Sequence, residues 1–583
     1  MDAIITQESP LKKYGASLSI NRDFAVKDSP IAIDCETDEQ DNLVGLALTQ
    51  NGTNIWYYCG DDLQGNFSSL KVLNKLPLIG HNLKGDAKWL KSWGWNIQSS
   101  NLFSDTMLQS YVISSTKESH SLKDLASEYL KMKWNTYKEM VHPDVLHPKK
   151  KITLDKQDVN RVAEYCAMDC LATYRLYYYF TKIMTPFQKR VFNTIEMPLM
   201  QLLYEMEVQG INIDTNHLKF LDEIYKKEIK DNIVDLELYT KGITNLNSPK
   251  QLKPFIEELT GHTIPNTNHF TLESLKNCAF VNLLLSYKRK NKLYSTYIKP
   301  YVGLNKLYTT YNQVTKNIKG EEKGISTGRL SSNKPNLQNI PAHGEDGKGI
   351  RKLFIPEKGK KLITADYSQI EYRLLAHFSK EPRLMEAYKN GDDIHQQTAM
   401  ALGLTDRHIG KTLNFAAIYG AGAKKIALAS KVDEKKAQEF LDQYWKVLPR
   451  VKAWINRTKF QAKAQKGVYT LMKRWIPLLD INSSDPIKRW HWERAAVSYI
   501  IQGSAAEIIK LAMIKLKENN IFPILQVHDE LLFEEELNDS NTVKVYTDRV
   551  KYYMESIVKL DVPLIVNIGY GKNWEESKNE TIK

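Results

Sequence analysis

A short apolar run that ends in carboxylates occurs twice in this chain, as Ile31-Ala-Ile-Asp34-Cys-Glu36 and as Lys361-Leu-Ile-Thr-Ala-Asp366. Such runs, flanked by turn residues, read as buried strands. Any fold must bury the apolar part of each strand and still hold its acids where something neutralises them. Around the first run the chain alternates. Leu43–Leu48 is a second apolar run, and helical patterns follow near residues 86–93, 122–132 and 159–180. That alternation predicts an α/β domain. Helical periodicity then runs from Phe187 to about Tyr308, broken at Asn247-Ser-Pro249. The remainder mixes strand signals (Lys361–Ala365, Pro523–Val527, Leu531–Glu534) with helical patterns over 406–419, 434–464 and 492–517. The polar stretch Thr315–Gly324 is expected to be a loop. A chain of 583 residues has room for several such domains.

The charge balance narrows the partners. Lys and Arg number 81 against 68 Asp and Glu, a net charge of +13. This favours a polyanion, either nucleic acid or an anionic membrane surface. No apolar run approaches the ~20 residues of a spanning helix, which argues against the membrane. Without a basic-then-apolar leader pattern, the expected location is intracellular, with the DNA. Apolar residues at 42% and charged residues at 26% exclude disordered and collagen-like chains. The five cysteines are scattered. Cys166 and Cys170 stand at helical spacing but have no second pair nearby, so a buried reduced pair is favoured over a metal clip. The Lys288-Arg-Lys-Asn-Lys292 cluster, with Tyr287, Tyr294 and Tyr297, is either a solvated helix face or a DNA-backbone contact.

Asp34 and Glu36 are two apart on a strand, so both project from one face. Asn82 and Asp86 stand four apart, as do Tyr165 and Asp169, the latter pair on one helix face. Asp34, Glu36, Asp86 and Asp169 drawn together would repel unless cations neutralise them. Hard oxygen ligands suit Mg²⁺ or Mn²⁺, and two such ions can clamp the attacking and leaving oxygens of a phosphodiester. The joint set Asp34-x-Glu36, Asn82-x3-Asp86 and Tyr165-x3-Asp169 resembles the proofreading 3′–5′ exonuclease domain of family A DNA polymerases. The resemblance implies that Tyr165 orients the attacking water, where a sister branch uses His, and that a single-stranded DNA 3′ end enters the site. Gly85, where bacterial members often have Tyr, departs from the pattern.

The second half carries more. Asp366 ends its strand, and Gln526-Val-His-Asp529-Glu530 lies between two apolar runs as a hairpin tip. Asp366 and Asp529 make a second candidate two-metal pair. Arg407, Lys411, Phe415 and Tyr419 recur every four residues and so share one helix face. Two cations followed by two aromatics suit the phosphates, sugar and base of a nucleoside triphosphate. His395 adds a further phosphate donor. Thr327–Pro341 is rich in amide and guanidinium donors that could reach the minor-groove acceptors common to all base pairs; Arg474 and Gln502 add to them.

These stretches resemble the polymerase motifs of family A DNA polymerases, the family of bacterial DNA polymerase I, and the resemblance runs from about Ile31 to Trp574. It includes Ile195-Glu-Met-Pro198 and Asp561-Val-Pro-Leu564. The implied architecture is multidomain α/β and α+β: a ribonuclease H-like exonuclease (1–186), then a right-hand polymerase of thumb (187–310), palm (311–372), fingers (373–470) and palm again (471–583). Asp366 and Asp529, with Glu530 nearby, would hold two metal ions per active site, with Lys411 in the catalytic set. Arg407, Lys411, His395, Gln369, Phe415 and Tyr419 would bind the dNTP. Arg329, Asn336, Gln338, Asn339, Arg474, Gln502 and His528 would contact primer–template DNA. Glu371 resembles a steric gate against ribose, and Phe415 resembles members that discriminate against dideoxynucleotides. Ala416 and Ser498 depart from the usual Gly and Asn. With no 5′-nuclease pattern ahead of the exonuclease motifs, the chain is expected to resemble a Klenow-like unit, as in phage or organellar members. The expected protein is a monomer acting in replication or repair, with room for accessory replication proteins. Two alternatives remain: a single-subunit RNA polymerase, disfavoured by Glu371, and a nuclease whose polymerase half only binds DNA, disfavoured by the intact Asp366, Asp529, Arg407 and Lys411.

Overall fold

The computed structural model describes residues 9–22, 27–60, 70, 73–142, 152–240, 245–314, 326–342, 344–537, 539–579 and 581–582. Thr315–Gly324 and the Tyr419 side chain lie outside the described set. The N-terminal region is built on a six-stranded mixed sheet, ordered Ser17–Ile20, Asn54–Cys59, Leu43–Thr49, Ile31–Thr37, Leu78–Gly80, Leu102–Asp105. Ile31–Thr37 lies inside it, antiparallel to Leu43–Thr49 and parallel to Leu78–Gly80. Strand alternation sends Ile31, Ile33 and Cys35 to one core and Ala32 to another, shared with helix Val159–Ile183. Asp34 and Glu36 share the face of Ala32, so the acids point beneath that helix. Cys166 and Cys170 are buried free thiols that donate to the backbone carbonyls of Asp34 and Ala32, both at 3.3 Å. They pack the helix onto the strand.

The C-terminal half centres on an antiparallel sheet ordered Pro523–Val527, Glu530–Glu535, Lys361–Tyr367, Val566–Gly571, Thr581–Ile582. Its register sets Asp366 opposite both Glu530 and Asn567. The expected helix over 434–464 is two, Glu434–Val447 and Pro449–Gln465. Proline restricts the residue before it to extended backbone, which breaks the run at Leu448. The periodicity over 187–308 hid a strand, Ile211–Ile213, which pairs with Phe354–Ile355 and Lys306–Leu307. Three residues are too few to show an alternation.

Among the described residues one helix, Pro486–Glu518, is long and apolar enough on average over 18 residues to cross a membrane, though it holds no continuous apolar run of that length, and 67% of that window is buried. It is a core helix, and its Glu507 and Lys510 are fully buried. Polar residues interspersed along it broke up any continuous apolar run.

Buried ion clusters join the two halves. Glu196 is held by Arg474, by Lys510 at 2.8 Å and by the Gln313 amide at 2.6 Å, and Arg474 Nε donates to Glu507 at 3.1 Å. Burial alone would raise the Glu196 carboxyl; Lys510 and Arg474 instead hold it at about 2. Tyr111 of the N-terminal half places its ring 5.8 Å from the Arg474 guanidinium. Glu207 likewise receives Lys84 and, at 2.7 Å, Lys88. Removing one partner of such a buried pair is strongly destabilising, because the other charge is left in low dielectric.

Candidate active sites

The first site gathers the four carboxylates that the sequence singled out. Asp34 is partly exposed; Glu36, Asp86 and Asp169 are buried. The Cys35 backbone N–H donates to Asp86 at 3.1 Å, which ties the second motif onto the strand of the first. Asn82 starts helix Leu83–Ser92 with φ 65°, a left-handed conformation that swings the chain so that Asp86 faces Cys35. Asp34, Glu36 and the Cys166 thiol bring ligand atoms within 4.8 Å of one another. Burial first, then Asp169, Glu36 and Asp86, push the Asp34 carboxyl well up. Burial, followed by Asp169, does the same to Glu36, and burial raises Asp86 to about 8. Burial also raises the Tyr165 hydroxyl, so it keeps its proton. Two residues absent from the sequence expectation join the site. Lys123 pairs with Asp169, and Trp134 Nε1 donates to the same Asp169 oxygen at 2.5 Å. Neither stands in a motif, and only the fold brings them there.

The second site opens around a cavity of about 370 Å³, lined among others by Arg329, Gln369, Glu371, His395, Phe415, His528 and Asp529. Five separate stretches of chain supply these seven residues. Asp529 sits in a two-residue hairpin turn, with Val527 paired to Glu530. His528 takes φ 57° there, the left-handed region that non-glycine residues enter at a cost of about 1–2 kcal/mol. Gln369 takes φ 53° where strand Lys361–Tyr367 turns into helix Ile370–Ser379, and its side-chain oxygen accepts from the Tyr388 hydroxyl at 3.0 Å. Such strain concentrates at functional sites. Burial, then Asp529 and Glu530, raise Asp366 to about 7; burial, then Glu371, raises Asp529.

Arg407, Lys411 and Phe415 are exposed on helix Arg407–Tyr419, and Asp393 receives the Arg407 Nε at 2.6 Å. His395 is buried, stacks on Phe415 at 6.1 Å, and its Nδ1 accepts from the Asn414 amide at 2.9 Å. Burial and Arg407 lower it to about 4, so at neutral pH it can offer an Nε2–H and no positive charge. Arg329 pairs with Glu371. Asn339 is exposed, while Asn336 caps the turn Leu337–Asn339 by accepting the Gln338 N–H at 3.1 Å. Gln502 is half-buried on the core helix.

Two expectations are corrected. Arg474, expected to contact DNA, is 1% exposed and engaged by Glu196 and Glu507, so it braces the framework. Gln338 is buried and donates to the Gln526 side chain at 2.6 Å, not outward. Glu530, expected near the aspartates, stands directly opposite Asp366 and so shares its sheet face; it is buried, Trp574 Nε1 donates to it at 2.9 Å, Lys578 pairs with it at 2.7 Å, and its charge helps raise Asp366. The basic cluster is partly neutralised: Asp346 takes Arg289 at 2.6 Å and Lys290 at 2.9 Å, and Glu228 takes Lys290 at 2.7 Å. Tyr287 and Tyr297 are buried in the helical region.

Raised carboxyls set a pH signature. A carboxyl whose folded value lies above its unfolded value binds protons preferentially in the native state, so stability falls as pH rises from about 4 through the folded values. For Asp366 and Asp86 those values are about 7 and about 8. The expected result is that Mg²⁺ raises the melting temperature little at pH 5.5 and markedly at pH 8. Thermal scans with EDTA or 5 mM Mg²⁺ (about that concentration) test this, and an equal Mg²⁺ increment at both pH values would contradict it.

A mixed sheet with a buried acid cluster, joined to an antiparallel sheet whose Asp529 shares a cavity with Phe415 of the helix that also carries Arg407 and Lys411, defines a nucleic-acid polymerase fold fused to an exonuclease fold. Residues 215–576 match DNA polymerase family A and residues 3–185 match the 3′–5′ exonuclease family. The chain belongs to DNA polymerase family A. It is 33% identical to DNA polymerase I of Synechocystis over 94% of its length and 60% of that protein's. It is 38% identical to DNA polymerase I of Caldicellulosiruptor bescii over 81% of its length and 55% of that protein's. The chain thus spans little more than half of these relatives. Among solved structures, the POL domain of Pol1 from M. smegmatis, in complex with DNA primer-template and dNTP, superposes with a TM-score of 0.78 at 26% identity, covering 94% of this chain and 96% of that one.

Proposed function

We propose that the protein is a DNA-templated DNA polymerase with an intrinsic 3′–5′ proofreading exonuclease, acting in replication or repair as a monomer. The observation that carries this is a cavity in which Arg329, Glu371, His395, Phe415 and Asp529 converge from distant segments. Both acid clusters consist of hard oxygen donors whose mutual repulsion demands cations, so each fits two Mg²⁺ or Mn²⁺ ions. Asp366 and Asp529 would hold them in the polymerase site, and Asp34, Glu36, Asp86 and Asp169 in the nuclease. A metal pair held by these residues would lower the pKa of the attacking hydroxyl and neutralise phosphate charge.

The chain's own groups do the rest. Arg407 and Lys411 attract the triphosphate, and the His395 Nε2–H adds a donor beside them. Phe415 offers a face for the sugar and base, and Tyr419 follows one turn further on. Arg329, released from Glu371, and His528 at the hairpin tip are placed to sense the minor-groove edge of the nascent pair. In the nuclease, the protonated Tyr165 hydroxyl can orient a water on the scissile phosphate.

Incubating primer–template with Mg²⁺ and either dNTPs or rNTPs tests the assignment; extension with rNTPs alone, or none at all, would refute it. Glu371 fills the cavity wall with its side chain only 15% exposed. Glu371→Ala should raise ribonucleotide incorporation by about 10²-fold or more, since removing a clash recovers ~3 kcal/mol of discrimination. An unchanged dNTP/rNTP ratio of kcat/KM would show that Glu371 is no gate.

A further inference from the structure

We propose that Lys123 is a resident counter-cation of the nuclease acid cluster, which a divalent ion has to displace from Asp169. This rests on that cluster being a metal site. Lys123 enters on the short helix Leu122–Leu125, whose start is fixed by the Ser121 side chain accepting the Asp124 N–H. Its ammonium pairs with Asp169 and lies 4.1 Å from the Trp134 ring and 4.2 Å from the Tyr165 ring. The two aromatic faces form a cage in which a desolvated cation is stabilised. Lys123 and Trp134 address the same oxygen, Asp169 Oδ1, so both lone pairs of that oxygen are in use.

A divalent ion on Asp169 would put two positive charges within a few Å of this ammonium, so the two contacts exclude each other. The way out is open: the Lys123 side chain is 21% exposed, against 10% for Asp169. A four-carbon stem lets the ammonium swing toward solvent without moving the backbone. The device has two consequences. It offsets part of the repulsion among Asp34, Glu36, Asp86 and Asp169 before metal arrives, and it lowers the affinity with which the Asp169 position takes an ion.

The test uses the full chain carrying Asp366→Ala and Asp529→Ala, so that the polymerase site contributes no metal signal. Mn²⁺ titration followed by electron paramagnetic resonance should show Lys123→Met, which keeps the stem and removes the charge, binding Mn²⁺ about tenfold more tightly than its parent. Equal or weaker binding by Lys123→Met would overturn the proposal. Adding Asp34→Ala and Glu36→Ala to the parent separates the two claims. If the parent shows no Mn²⁺ binding that these substitutions remove, the metal site itself is wrong and the proposal falls with it. If they do remove it and Lys123→Met changes nothing, only the proposal fails. A measurement on the unaltered protein guards against a misfolded variant. Labelling of Lys123 by an amine-reactive reagent, read by mass spectrometry, should rise severalfold on adding Mg²⁺, and constant or reduced labelling would refute the displacement.

Discussion

Asp366→Ala or Asp529→Ala is expected to abolish primer extension while leaving digestion of single-stranded 3′ ends intact. Asp366 ends the central strand of the antiparallel sheet, opposite Glu530, and Asp529 sits at the adjoining hairpin turn. Both carboxyls are raised by burial and by neighbouring acids, the signature of a pair that waits for cations. A metal clamp on the transferring phosphoryl supplies several kcal/mol, and each ~1.4 kcal/mol is tenfold in rate, so the loss should reach about three to four orders of magnitude. Single-turnover extension of a labelled primer measures it. A variant within tenfold of the parent would remove the pair from the chemistry. The folding risk is small, because neither carboxylate belongs to the ion clusters that join the two halves.

The converse substitution, Asp34→Ala with Glu36→Ala, should remove 3′-end digestion by a comparable factor and leave extension unchanged. The two acids share the strand face beneath helix Val159–Ile183, together with Asp169 from that helix. Losing two of four ligands leaves too few oxygens to hold an ion pair. Stability should rise rather than fall, since burial and the neighbouring acids raise both carboxyls and their removal relieves that repulsion. Persistent digestion of single strands by the double variant would place the nuclease elsewhere. On a mismatched primer end the parent should trim before it extends, while the double variant should extend the end untrimmed or stall.

The motif residues behave unequally, and the difference is physical. Glu196 and Asp561 came forward only through resemblance, yet each has a structural reason: Glu196 anchors the buried cluster with Arg474 and Lys510, and Asp561 accepts from Lys380 and meets His377 at 2.5 Å. Arg474 and Gln338 resembled DNA contacts because their residue types suit that task. Whether a donor faces out or in depends on what packs against it, which spacing does not encode.

Local pattern alone determined a great deal here. Alternation placed Asp34 and Glu36 on one strand face, four-residue steps placed Arg407, Lys411 and Phe415 on one helix face, and apolar arms around His528 and Asp529 marked a hairpin. These are short-range consequences of the 2.0 and 3.6 periods of strand and helix. Tertiary structure decided which elements meet. It brought Lys123 and Trp134 onto Asp169, set Trp574 behind Glu530, and buried Arg474 between two glutamates. Such contacts join residues far apart in the chain, and they exist only once burial makes an unpaired charge or N–H too costly to leave alone.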